Sequence, residues 1–307
     1  MTPSVCVVGS LNLDRVAHLA RLPTTGETLH AEGVALLPGG KGANQAVAAA
    51  RLGGDVAMVG AVGEDEAGRT LLAAARADGV DVDGVARVAG IRTGEALILV
   101  ATGGDNVIVV SRGANWTVEP AGVRASMPSA DVVVTSLEIP DDAVLTAARR
   151  ARELGAHFVL NPSPYRPLDG QLLDLVDTLV VNETELAELA GRQDGDLEDA
   201  MRTVRTGRHQ TLVVTRGAAG AAVLGSGADG VEHVAAPRVD AVDTSGCGDA
   251  FTGALALGLA AGHRVTETLP RALAVGAFAA TRRGAQPSYP SAAELAAWPA
   301  VASSGIR

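Results

Sequence analysis

Thr178-Leu-Val-Val-Asn-Glu-Thr-Glu-Leu-Ala-Glu-Leu-Ala-Gly191 changes character at a single residue. Its first four side chains form an unbroken apolar run, as in a strand buried on both faces. From Glu183 onward the apolar residues fall at helical spacing. Asn182 stands where a helix N-cap belongs, acids fill the first turn, and Gly191 follows the end. A strand that passes directly into a helix is half of a βαβ unit. The same alternation recurs outward in both directions. Strands are predicted at Val5–Val8, Val56–Val59, Val132–Thr135, Phe158–Asn161 and Thr211–Thr215. Helices are predicted at Asn44–Leu52, Ala67–Ala77, Asp142–Glu153 and 197–206. Buried strands separated by helices predict an α/β fold, with a mostly parallel central sheet covered by helices on both faces.

Two segments break this rhythm. Residues 15–37 and 91–112 have strand character without helices, and Gly103-Gly104-Asp105 is a hairpin turn signal. They are expected to form a small β-sheet projecting from a main domain made of residues 1–14, 38–90 and 113–307. Such a sheet suits a lid, and its bare face and edges favour pairing with a second copy as a homodimer.

The chain has 307 residues, 47% hydrophobic and 2% aromatic, so an ample core must be built from Ala, Val and Leu. The net charge of −10 argues against nucleic acid or an anionic membrane as a partner. No apolar run approaches the roughly 18 residues of a membrane helix, and Met1–Pro3 lack the basic start of a signal peptide. Two cysteines make no disulfide framework, so a cytoplasmic location is expected. Asn115-Trp-Thr and Asn182-Glu-Thr then match the glycosylation triplet by chance.

The chemistry concentrates in Asp243-Thr-Ser-Gly-Cys-Gly-Asp249-Ala-Phe-Thr-Gly253. Gly246, Cys247 and Gly248 lead into a helical run from Ala250, and backbone N–H groups at a helix start bind anions. An acid beside an anion site, Asp249, points to phosphoryl transfer onto a hydroxyl. Pro38-Gly-Gly-Lys41-Gly-Ala-Asn44 also precedes a helix. Without Ser or Thr after the lysine it is no Walker A loop. It reads either as a strand–helix turn or as a site where a ligand meets Gly40 backbone, Lys41 and Asn44. Asn12 and Asp14 follow the first strand and Glu138 follows Val132–Thr135. Each sits at a strand's carboxyl end, to hold a ligand or to cap a turn. Asn182 and Glu185 read as a helix cap or as a contact to phosphate and Mg²⁺. Thr215, Gly217 and Gly220 read as a turn or as part of a nucleotide site. Gly225–Gly230 fits a dinucleotide fingerprint by letters only, because a strand-like Val231-Glu-His-Val follows it; a nicotinamide cofactor loses its support. The six histidines show no metal spacing. Cys247 sits at a helix start, which can lower a thiol's pKa, but no histidine partner is near in sequence.

Taken together these motifs resemble the ribokinase-like (PfkB) carbohydrate kinases, most closely the ribose-phosphorylating members, over nearly the whole chain. Gly39-Gly-Lys-Gly-Ala-Asn-Gln-Ala-Val-Ala-Ala resembles the first family signature and Asp243–Phe251 the second. Gly9-Ser-Leu-Asn-Leu-Asp, Asn182-Glu-Thr-Glu and Arg283-Gly-Ala-Gln-Pro-Ser288 fall in the expected order. The resemblance implies a three-layer α/β/α fold and ATP-dependent phosphorylation of the 5-hydroxymethyl group of D-ribose. It implies Asp249 as general base and Gly246, Cys247 and Gly248 as anion hole. Sugar ligands would be Asn12, Asp14, Gly40, Lys41, Asn44 and Glu138. Asn182 and Glu185 would serve phosphate and Mg²⁺-bound water, while Thr215, Gly217, Gly220 and Gly248 would line ATP. Asp243, Ser245, Ala279, Arg282, Gly284 and Ser288 would hold an activating K⁺. Fructose, deoxyribose or a nucleoside are the alternative acceptors, and a sugar-binding regulator without catalysis is the alternative from another class. Two positions depart from the family: Cys247 replaces the usual Ala, and Leu273 stands where a polar residue near adenine is common.

Overall fold

The computed structural model describes residues 2–102, 105–192, 195–205, 210–225 and 230–299. The turn at 103–104, most of the Gly225–Gly230 loop, Thr206, His209 and the tail from 300 lie outside the described residues.

In chain order the strands are β1 Ser4–Val8, β2 Asn12–Leu19, β3 Gly33–Gly39, β4 Asp55–Gly63, β5 Val80–Val88, β6 Gly94–Ala101, β7 Asn106–Ser111, β8 Val132–Ser136, β9 His157–Asn161, β10 Thr178–Asn182, β11 Thr211–Thr215, β12 Ala221–Leu224 and β13 Glu232–Val234. Nine of them form one sheet in the order β13-β12-β11-β10-β9-β8-β1-β4-β5. From β5 to β11 every pairing is parallel, while β12 and β13 close one edge antiparallel. β12 and β13, on either side of Gly225–Gly230, pair antiparallel, so a strand follows that stretch where a dinucleotide fingerprint needs a helix.

The central strands read as continuous apolar runs because both their faces are buried. Val5 and Val7 pack into one core with helices Lys41–Arg51 and Cys247–Ala260. Cys6 and Val8 pack into the other with helix Asp141–Leu154. The result is the expected three-layer α/β/α architecture. Edge strand β5 and helix Val265–Ala280 extend it beyond the elements predicted above.

The remaining four strands make the small sheet, in the order β3-β2-β6-β7. β2 begins at Asn12 and β3 ends at Gly39, so the Gly9–Asp14 and Pro38–Asn44 stretches root the small sheet in the large domain. Side chains paired across a sheet share a face. Asp14, Ala96 and Val110 are in register on the face turned toward the large domain. Leu36, Leu97 and Val109 lie on the opposite face, where they are 55%, 46% and 60% exposed.

Candidate active site

Helix Cys247–Ala260 starts three residues before the predicted Ala250, because Gly246 adopts φ = 69° as its N-cap. That left-handed turn suits glycine alone. A Cβ at Gly246 would also strike the Tyr289 hydroxyl, which donates to the Gly246 carbonyl at 2.9 Å. The Cys247 N–H turns back to the Thr244 carbonyl at 3.3 Å. Among the described residues no acceptor takes the N–H groups of Gly248 and Asp249, as expected at a helix start. A Cβ built on Gly248 meets nothing within 4 Å beyond its chain neighbours and the helix's own backbone, so no side chain covers this residue.

Asp249 is buried at 6% exposure and held at both carboxylate oxygens. Asn44 Nδ2 donates to one at 2.9 Å and Gln45 Nε2 to the other at 3.2 Å. This meeting depends on close contact between helices Lys41–Arg51 and Cys247–Ala260. Gly253 allows it, since a Cβ there would press into the Gln45 carbonyl. Gln45 Nε2 also reaches Asn161 Oδ1 at 3.2 Å, tying the pair to the end of β9.

The residues expected to bind the acceptor surround this acid. Gly40, at φ = 90°, lies against Ser10–Asn12 with no room for a side chain. The buried Asn12 side chain accepts from Asn115 Nδ2 at 2.7 Å, and Asn115 Oδ1 accepts from the Leu11 N–H at 2.9 Å. Glu138 accepts from the Lys41 N–H at 3.0 Å and from the Ser10 hydroxyl. Gly39 is glycine because a Cβ would overlap the Asp14 carboxylate. Burial pushes the Asp14 carboxyl up to about 7, and the Glu138 and Asp249 carboxylates add to the rise. Burial alone would lower the Lys41 ammonium, but Asp249, Glu138 and Glu185 together hold it above its ordinary value. A cavity of about 280 Å³ shares Asn12 and Glu138 and continues to Trp116, Tyr165 and Val110 of the small sheet.

The residues expected at the nucleotide lie along the same carboxyl edge of the sheet. Asn182 and Thr215 are register partners at the ends of β10 and β11. Asn182 is the predicted cap: its Oδ1 accepts from the Glu185 N–H at 2.8 Å, and Glu185 accepts from the Asn182 N–H at 2.9 Å. One Glu185 oxygen stays free of that box. Gly217 and Gly220 turn with φ of 52° and 93° beyond Thr215. The third group also converges. Asp243 accepts from the N–H groups of Ser245 and Gly284, both at 2.8 Å, and these bonds hold its carboxyl below the usual range against the effect of burial. The Ala279 carbonyl accepts from the Arg282 N–H, and Ser288 bonds to the Ala285 carbonyl. The Arg282 side chain turns away, to Glu294 at 3.1 Å.

The helix start does not activate Cys247: burial first, then the Asp243 and Asp249 carboxylates, push its thiol up to about 12. Burial and the acidic neighbours thus disfavour the thiolate that a nucleophilic cysteine needs. The sequence reading also omitted Ser10, Gln45, Asn115, Asn161 and Gln286, all buried in contact with the site. Gln45 directly follows the Lys41–Asn44 motif and was within reach. Asn115, 1% exposed, is bonded inside the core, which agrees with its glycosylation triplet being a chance match.

The model described as pfkB family carbohydrate kinase matches residues 2–292. The chain is 36% identical to ribokinase from Schizosaccharomyces pombe, over 95% of this chain and 96% of that one. It is 35% identical to ribokinase from Haemophilus influenzae, over 96% and 97% respectively. The structure of Arabidopsis thaliana ribokinase complexed with ribose and ATP matches with a TM-score of 0.85 at 32% identity, covering 96% of this chain and 98% of that chain. With an acid, an open helix start and a ring of polar acceptor residues in one cleft, and a family match along nearly its whole length, the chain belongs to the pfkB family of carbohydrate kinases.

Proposed function

We propose that the protein transfers the γ-phosphoryl group of ATP to the 5-hydroxymethyl group of D-ribose, giving D-ribose 5-phosphate. The observation that carries this is the buried Asp249, clamped by Asn44 and Gln45 one residue from the unpaired Gly248 N–H. Asn12, Asp14, Gly40, Lys41, Asn44 and Glu138 offer a small polyol more hydrogen-bonding partners than one hydroxyl needs. The relatives that act on ribose support the choice of sugar.

Asp249 orients the acceptor hydroxyl toward the phosphorus and takes its proton as the new P–O bond forms. Phosphoryl transfer passes through a loose transition state, so positioning and charge neutralisation dominate. The helix N–H groups meet the oxygens of the moving phosphoryl group, whose charge they neutralise without reorganisation. Lys41, kept cationic by its acidic neighbours, balances charge on the acceptor side. Thr215, Gly217 and Gly220 line the nucleotide, with Asn182 at its phosphates.

Mg²⁺ fits this donor set. No cluster of three acidic, His or Cys side chains exists among the described residues to cage a metal. Mg²⁺ favours phosphate oxygens and retained waters over all-protein cages, and the free Glu185 oxygen suits such a water. When bound it would neutralise charge on the ATP phosphates. For K⁺, Asp243 bridges the two loops whose carbonyls, with Ser245, Ala279, Arg282, Gly284 and Ser288, would hold the ion.

The test is phosphorylation rate with ATP and K⁺ across pentoses, hexoses and nucleosides. Ribose should give the highest kcat/KM. A nucleoside preference would overturn the choice of sugar, and Trp116 and Tyr165 in the adjoining cavity are what would favour it.

The Asp14 carboxyl gives a pH signature. Its ionised form accepts hydroxyl hydrogen bonds from the sugar, and it protonates as pH falls through about 7. The KM for sugar should therefore rise below neutral pH. Asp14→Asn should raise KM at all pH values and remove the inflection. An inflection retained in that variant would assign it to another group.

We also propose that the small sheet forms a homodimer. Val34, Leu36, Leu97, Val107 and Val109 present exposed apolar side chains on one face, an unfavourable surface for a monomer in water. Leu97→Lys combined with Val109→Lys should convert dimer to monomer in analytical ultracentrifugation. A wild-type chain that sediments as a monomer at micromolar concentration would exclude the dimer.

A further inference from the structure

Gln286 sits inside the Arg283–Ser288 stretch without a role assigned to its side chain, yet it reaches the reacting acid through one intermediary. It is 2% exposed, and its Nε2 donates to Asn44 Oδ1 at 3.1 Å. Asn44 Nδ2 then donates to Asp249 Oδ2 at 2.9 Å. An asparagine amide has a donor end and an acceptor end of nearly equal size. Beside a carboxylate only the donor end is favourable. The Gln286 N–H fixes the choice, because it needs the acceptor end of Asn44. Gln286 is itself held from behind: its backbone carbonyl accepts from Arg51, and Arg51 is paired with Asp78 on helix Lys41–Arg51's own side of the core. The neighbouring Tyr289 holds the Gly246 carbonyl. One short segment, 286–289, therefore braces both the acid and the helix cap that aims the anion-binding N–H groups.

We propose that Gln286 is a positioning residue for phosphoryl transfer, acting on Asp249 through the orientation of the Asn44 amide. This rests on Asp249 being the base. When Asn44 is free to turn, its oxygen faces the carboxylate in part of the population, repels it and moves it off the acceptor hydroxyl. The nucleotide side is untouched, so the effect falls on kcat with saturating sugar and not on the KM for ATP.

Gln286→Met keeps the length and apolar bulk of the side chain and removes the donor. It should lower kcat about tenfold, the loss expected for one hydrogen bond linked to a charged group. The KM for ATP should stay within about twofold of the parent, as uniform nucleotide binding is preserved. The decisive measurement is a double-mutant cycle with Asn44→Leu, whose side chain has no amide to orient. In that background Gln286→Met should change kcat little, because the pathway it acts through is gone. Equal fold losses in both backgrounds, or an unchanged kcat in the single variant, would overturn the proposal. Rates are normalised to the folded, ATP-binding fraction of each variant, so a loss of fold is not mistaken for a loss of positioning. The parent reading fails separately: an active Asp249→Asn variant would remove the base assignment, whatever Gln286→Met does.

Discussion

Asp249→Asn should lower kcat by roughly 10³-fold, within the range expected for loss of a positioned general base. Two effects act together. The amide cannot accept the hydroxyl proton, so the proton must leave to water as the P–O bond forms. The site also resists the substitution, because both oxygens of Asp249 accept from amide donors, Asn44 at 2.9 Å and Gln45 at 3.2 Å. An asparagine at 249 turns one of these contacts into donor against donor. Asp249→Ala removes the base without that conflict and separates the two effects. Nucleotide affinity should be unchanged in both variants if Asn182 and Thr215 hold the nucleotide as proposed, since the Asp249 side chain bonds to Asn44 and Gln45 and to neither of them. Steady-state kinetics with ribose, together with calorimetric titration of ATP, provide the check. Turnover within tenfold of the parent in either variant would assign proton removal to another group.

The parts legible in the sequence are those whose geometry is local. Thr178–Asn182 declared a buried strand and its cap because apolar run, Asn and acids are adjacent, and the capping box at Asn182 and Glu185 follows directly. Gly40 and Gly246 declared tight turns into helices because only glycine takes their backbone angles. Edge strand β5 was legible too, as Val80, Val82 and Val85 are buried between exposed neighbours, but its alternation was passed over for the more apolar runs. What sequence could not supply is the amide network behind the acid. Asn44 meets Gln286 across 242 residues, and Gln45 meets Asn161 across 116. No local pattern encodes a bond between a helix, a strand end and a terminal loop. The Cys247 thiol shows the same divide between local and tertiary causes. The helix start that would favour a thiolate is local, whereas the burial and the two carboxylates that override it come from the folded site.

The two glycines around Cys247 should respond in opposite ways to the same substitution, and Gly248→Ala separates chemistry from folding. Gly246→Ala places a methyl group where φ is 69° and where the Tyr289 hydroxyl and Ala285 already stand. It should destabilise the fold and reduce activity in parallel. Gly248 is inside the first turn of the helix, and a Cβ there meets nothing within 4 Å beyond its chain neighbours and the helix's own backbone. Alanine at a helical position is favoured over glycine by about 0.5–1 kcal/mol through backbone entropy, so Gly248→Ala should hold or raise the melting temperature. The methyl group would enter at the helix start, on the Cα next to the Gly248 N–H and beside the N–H of Asp249, neither of which has an acceptor among the described residues. If those donors neutralise the moving phosphoryl group, the added methyl blocks its approach, and kcat should fall by about 10²-fold, near the loss recorded for one anion-hole donor. Thermal unfolding and kcat measured on the same preparation read the two effects separately. A Gly248→Ala enzyme that is stable and fully active would place the phosphoryl group away from this helix start.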